Sequence, residues 1–190
     1  KSDLRPDPTN VLIAAAAAFG NAPDVYAQSA SVTARIGAGQ TVRATAAEIP
    51  GEGVLLEIAL PGGRAQSFPQ LGMELVPFSG KPGDRGLIAR DLNGDSLDEI
   101  IIRGSVPPNR GAVLVFRWER TAGEFVPMDF TDDRDQTTKY LVVDFSAPVL
   151  IDGSGMIEAQ YESVRADGRK SYHVARYRWT GNGFVHSADN

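Results

Sequence analysis

"DLNGDSLDEIIIRG", residues 91–104, sets short acidic and amide side chains directly against three consecutive isoleucines. A continuous apolar run bounded by turn residues is the mark of a buried strand, so "EIIIRG" predicts one leaving the acidic loop. Carboxylates crowded at the mouth of such a strand repel one another. The loop is therefore either a solvated, hydrogen-bonded turn or a segment held together by a cation.

Outward from this stretch the chain keeps the same texture. "SVTARI", "TVRATAAEI", "VLLEIAL", "GLIAR", "DEIIIR", "AVLVFRW", "MIEAQYESV" and "SYHVARYRW" predict strands, with turns at Pro61-Gly62-Gly63, Gly80 to Gly83, Pro107-Pro108-Asn109, Asp167-Gly168 and Gly181-Asn182-Gly183. Nothing helical of ten residues or more separates successive strands, which points to antiparallel meanders and away from crossover topologies. The expected fold class is mainly all-β.

Three segments resemble one another: "EIALPGGRAQSF", "VFRWERTAGEFV" and "RYRWTGNGFV". Gly63, Gly123 and Gly183 stand 60 residues apart (123 − 63 and 183 − 123), as expected of repeated hairpin units. The second and third copies match best, through Arg117-Trp118 and Arg178-Trp179. Each is preceded by an acidic turn, "NGDSLDEI" and "IDGSGMIE", the second a degenerate version of the first.

Composition narrows the partners. The 190 residues are 42% hydrophobic with a formal charge of −5 and carry no basic stripe, which argues against nucleic acid. There is no cysteine, hence no disulfide, thiol nucleophile or thiolate metal site. The apolar run "VLIAAAAAFG", 11–20, is far short of the roughly 20 residues that span a bilayer. It is followed by "VYAQSA", similar to a small-residue signal cleavage site, but Lys1 and Arg5 are offset by Asp3 and Asp7, whereas the flank of a signal is net positive. The expectation is a short alanine-rich helix, opened near Thr9 or Asn10 and stopped at Gly20, in an extension over 1–30 that packs on a repeat domain over 31–190. A first residue of Lys1 leads us to expect a segment removed upstream of it.

By position, Asp91, Asn93 and Asp95 place side-chain oxygens at 1, 3 and 5 of the loop, Leu97 a main-chain carbonyl at 7 and Glu99 a carboxylate at 9. This is the ligand order of the first nine EF-hand positions, and hard oxygen donors in a flexible loop suit Ca²⁺ better than Mg²⁺. Ile102 stands at position 12 where an EF-hand has glutamate, and Ser96 at position 6 where it has glycine. The same residue types are also selected by tight turns.

A D-x-[DN]-x-D loop running straight into a β-strand resembles FG-GAP and VCBS-type repeats. More particularly, "LEIALPGGRAQSF", "DLNGDSLDEI", "VFRWERTAGEF", "APVLIDGSGMIEAQY" and "YRWTGNGF" resemble bacterial periplasmic propeller-like proteins, some of them immunity proteins against peptidoglycan hydrolases. The resemblance implies a β-propeller-like, incomplete domain with calcium on Asp91, Asn93, Asp95, Leu97 and Glu99. It also implies a periplasmic or otherwise exported location, and a protein partner that the domain inhibits.

No catalytic constellation is evident, so an enzyme is not expected. His173 and His186 lack a second histidine at ligand spacing, and "TDDRDQTTK" reads as a solvated linker. Arg117 and Arg178 beside tryptophans, with Tyr161 and Tyr172, are the candidate partner-binding residues, being types enriched at interface hot spots. The alternative is a carbohydrate-binding module or glycoside-active enzyme of the same architecture, whose two carboxylates need only meet in space.

Overall fold

A computed structural model describes residues 28–164 and 166–189, so the expected alanine-rich helix and most of the 1–30 extension lie outside the described residues. The first sheet is a meander of β1 (Ser29–Gly37), β2 (Gln40–Ile49), β3 (Gly53–Ala59) and β4 (Ala65–Phe68). The second is built the same way from β5 (Leu87–Arg90), β6 (Glu99–Val106), β7 (Arg110–Glu119) and β8 (Glu124–Pro127). After β9 (Asp129–Thr131), β10 (Thr137–Thr138) and β11 (Leu141–Asp144), the third meander runs through β12 (Val149–Ile151), β13 (Met156–Val164), β14 (Lys170–Trp179) and β15 (Gly183–Asp189). The fold is mainly β, and the sheets form neither a closed barrel nor a closed propeller.

Two cores place the second sheet in the middle. Along β6 successive side chains alternate faces. Ile100 and Ile102 join Phe116 and Phe125 in one core with Ala34, Ala44, Leu56 and Ile58 of the first sheet. Ile101 joins Val113 and Val115 in the other, with Ile157, Ala175, Tyr177 and Phe184 of the third sheet. All three isoleucines have no exposed surface. The unbroken apolar run is thus explained: a strand covered on both faces has no wet side to alternate toward. Burying each isoleucine contributes about 1.5–3 kcal/mol.

The edges are less regular. β8 pairs with Phe116–Glu119 of β7, while β11 pairs with Arg110–Val113 at the start of the same strand. β9 lies parallel to β15, the one departure from antiparallel pairing among the described strands. The "TDDRDQTTK" run is not a linker but the hairpin from β9 to β10: Asp132 Oδ1 accepts the Arg134 and Gln136 N–H groups.

The sixty-residue period is structural. Gly63, Gly123 and Gly183 all lie at the connection from third to fourth strand of their meander. Trp118 pairs with Phe125 and Trp179 with Phe184 across the second and third of these hairpins, with ring centroids 5.3 and 5.5 Å apart. The hairpin ends of the first two sheets are also joined directly, since Arg64 Nη2 donates to Gly123 O over 2.8 Å.

Beyond β4 the chain returns as a stitch between sheets. Val54 N donates to Gly72 O, Met73 N to Ser105 O and Ser105 N to Glu74 O. Here the backbones touch: a Cβ on Gly72 would lie 2.8 Å from Gly104 Cα, and its φ of +139° is one that L side chains rarely adopt.

Candidate metal loop

The acidic loop joins the first two strands of the middle sheet. Its apolar residues anchor it: Leu92 is buried in the second core and Leu97 is 5% exposed. Its short polar side chains then fold the backbone around themselves. Asp91 accepts the Gly94 N–H on Oδ1 and the Ser96 N–H on Oδ2, Asn93 Oδ1 accepts the Asp95 N–H, and Asp95 Oδ1 accepts the Leu97 N–H. Ser96 takes φ +69°, the left-handed conformation for which glycine is usual.

Glu99 ends the loop inside the protein. It is 2% exposed, with Oε2 accepting the Leu92 N–H at 2.7 Å and Oε1 an Asn93 Nδ2 proton at 3.0 Å. No salt bridge to a cationic side chain neutralises it among the described residues. Burial, with the nearby charges of Asp95 and Asp91, pushes its carboxyl up to about 7 despite the Leu92 hydrogen bond.

Asp98 points elsewhere. Its carboxylate accepts the Arg35 backbone N–H at 2.8 Å and pairs with the Arg35 guanidinium at 2.6 Å, while Asp98 N donates to Arg35 O. These hydrogen bonds hold its carboxyl below the usual range against the opposing effect of burial. Asp98 therefore fastens the loop to the first sheet.

On the other side the loop meets its counterpart in the third sheet, residues 152–155. Asp152 Oδ1 accepts from Ser154 N, Ser154 Oγ and Met156 N, much as Asp91 wraps its own turn. The position-5 carboxylate is replaced by Met156, so this copy is a turn alone. Gly155 packs on the acidic loop so closely that a Cβ there would lie 2.6 Å from Leu92 O. A groove of about 460 Å³ opens between the two loops, lined by Asn93, Gly94, Ser154, Met156, Arg178 and Trp179.

The donor set suits a hard cation in kind: three carboxylates, an amide oxygen and a main-chain carbonyl. Among the described residues no three His, Cys, Asp or Glu side chains form a metal-holding group by themselves. Chelation here would have to draw on Asn93 and Leu97 O as well, with Asp91, Asp95 and Glu99 turned inward together. The buried carboxyl of Glu99 is the feature a cation would relieve.

The four expected partner-binding residues do not form one surface. Arg117 lies with its guanidinium carbon 6.0 Å from the Trp179 ring centroid, and exposed Arg178 lines the groove. Tyr161 instead packs on the second core, with its hydroxyl donating to Val142 O, and Tyr172 is 64% exposed. Tyr172 precedes Arg178 by six residues along β14, a separation of about 20 Å in a strand.

One residue of consequence carried no sequence signal beyond its place after the isoleucines. Arg103 is 1% exposed, and its two terminal nitrogens donate to the carbonyls of Pro77, Phe78, Asp144, Phe145 and Ala147. Burial lowers its pKa, yet an arginine retains its charge at neutral pH. It ties two long connections to the middle strand.

No helix among the described residues is long and apolar enough to cross a membrane. No family model matches the chain, and no curated protein matches it. A solved structure described as "Structure of a Xanthomonas Type IV Secretion System related protein" is similar at 15% identity and a TM-score of 0.45, over 84% of this chain and 80% of that one.

Proposed function

We propose that this is an exported β-domain that binds calcium through Asp91, Asn93, Asp95, Leu97 and Glu99 and acts by binding another protein, inhibiting a secreted peptidoglycan hydrolase. The observation that carries the calcium reading is the buried carboxylate of Glu99, which no cationic side chain neutralises and which sits beside two further carboxylates in a loop of calcium-type ligand order. Bound calcium supplies positive charge at that point and draws the loop closed; it takes part in no reaction.

The loop touches both neighbouring sheets, through Arg35 and through Gly155, so closing it tightens the stack at one end. That end also presents Arg178 and the groove, the surface we assign to the partner. Export fits a calcium site of this kind. Extracellular calcium modules work at about 10⁻⁴–10⁻³ M, a range useful only where calcium is plentiful.

The inhibitory role is tested by adding the purified domain to a muramidase-type hydrolase acting on peptidoglycan, with calcium and with chelator. Calcium-dependent loss of hydrolysis, weakened by Arg178→Glu, is the expected result. Undiminished hydrolysis across hydrolases of several cleavage specificities would remove the inhibitor reading and leave the calcium site standing alone.

A further inference from the structure

We propose that a groove on the middle sheet, beyond the edge of the first core, is a binding site for a free single-chain acyl carboxylate whose head is held by Arg110. The sheet face that carries Ile100, Ile102 and Phe116 into the first core continues past it. By alternation and register that face next presents Val106 of β6, Arg110, Ala112 and Leu114 of β7, and Val142 of β11 opposite Ala112. Here the first sheet no longer covers it: Val106 and Val142 are each 40% exposed, whereas Ile100 and Ile102 have no exposed surface. A groove of about 590 Å³ is left, walled by the β2–β3 turn at Gly51-Glu52 and by the returning chain at Leu71 to Met73. It lies at the end of β6 away from the acidic loop, so it depends on neither the calcium reading nor the partner surface at Arg178.

The lining selects the body of the ligand. Met73, Val106, Tyr140 and Val142 are large apolar side chains left exposed around this one groove, and such clustering marks a binding surface. Its volume falls within the range of about 300–1,000 Å³ of small-molecule sites. The groove offers a sheet face and not an edge, and the N–H groups of Leu71 and Met73 on its wall are already donated to Val54 O and Ser105 O. The main chain of a bound peptide would lose water there without gaining partners. A hydrocarbon chain carries no such groups.

Charge selects the head. Arg110 is the one cationic side chain lining the groove among the described residues, and it forms no ion pair with any of them. Its cross-strand neighbour Asp144 is engaged elsewhere, accepting the Glu162 N–H on Oδ2 at 2.6 Å. A carboxylate presents the two oxygens that a guanidinium fork takes in parallel. Glu52 on the β2–β3 turn repels an anion, which leaves Arg110 as the place for the head. The chain lies in a recess that a lipid must leave its bilayer to enter, so the ligand is the free acid.

The test titrates the full chain, in chelator, with octanoate, decanoate and dodecanoate below their micellar concentrations, read by calorimetry and by amide shifts. The expected result is one saturable site whose shifts centre on Val106, Ala112 and Val142, with Kd falling about two- to fourfold for each added CH₂. Decanol and decylammonium should bind about tenfold more weakly than decanoate. Arg110→Glu should reverse that order in favour of decylammonium, and Val142→Asp should abolish binding of all three while circular dichroism stays unchanged. Absent or non-saturating binding, shifts centred elsewhere, or an Arg110→Glu variant that keeps its preference for decanoate would overturn the proposal. Shifts at the same residues from a peptide of alternating leucine and aspartate, with none from decanoate, would overturn it in favour of a protein partner.

Discussion

At residue 96 the loop sets a serine where the backbone turns left-handed, at φ +69°. An L residue in that conformation costs roughly 1–2 kcal/mol relative to its ordinary one. Ser96→Gly should therefore raise the thermal midpoint by a few degrees without moving the loop's hydrogen bonds, as read by calorimetry and by unchanged amide shifts in the remaining loop. Glu99 gives a pH signature at the same scale. With calcium chelated, burial raises its carboxyl from 4.5 to about 7, so between those values the folded state keeps a proton the unfolded chain has lost. Its contribution to stability is then fully present below about pH 4.5 and is lost as pH rises toward 7. Glu99→Gln should flatten that slope in denaturant melts taken across the range; an unchanged slope would show that the carboxyl is not buried as described.

Among the elements, β6 carries both cores, and a truncation there should be felt more than one on an edge strand. Ile101→Ala should cost about 2–5 kcal/mol, whereas Leu150→Ala on β12, 45% exposed, should stay within about 0.5 kcal/mol. Arg103→Leu should cost about 3 kcal/mol or more, because it leaves buried carbonyls on two connections without donors. Urea melts monitored at the tryptophans report all three. The long strands were legible in the sequence because their burial writes itself as alternation or as an unbroken run. The short strands β9, β10, β11 and β12 were not: at two to four residues each they leave no period to read, and β4 and β8 showed only as the far arms of the glycine hairpins. Arg103 was equally hidden, since its five acceptors are main-chain carbonyls, which have no sequence signature.

Over the whole molecule, three meanders stack, and several contacts between sheets fall at repeated positions, as at Arg35–Asp98, Leu92–Gly155 and Arg64–Gly123. The period of Gly63, Gly123 and Gly183 was legible because the turn chemistry recurs, and it marks equivalent hairpins. The acidic loop was legible as a turn for a similar reason. Its role in joining sheets was not, because the Asp98–Arg35 pair and the Gly155 contact bring together residues about sixty apart in the chain. Asp98 is thus a structural clamp at position 8 of the loop, and Asp98→Ala should lower stability whether or not calcium is present.

That distinction supplies the most direct test of the calcium reading. Chelator-stripped protein is melted with and without calcium, as wild type, Asp95→Ala and Asp98→Ala. At a hundredfold excess over the dissociation constant the wild type should gain about 2.7 kcal/mol, a rise of roughly 5–10 °C for a domain of this size. Asp95→Ala should start near the wild-type midpoint and gain nothing, while Asp98→Ala should start lower and gain the same increment. A wild-type midpoint that calcium leaves unmoved would contradict the cation reading and make 91–99 a hydrogen-bonded turn.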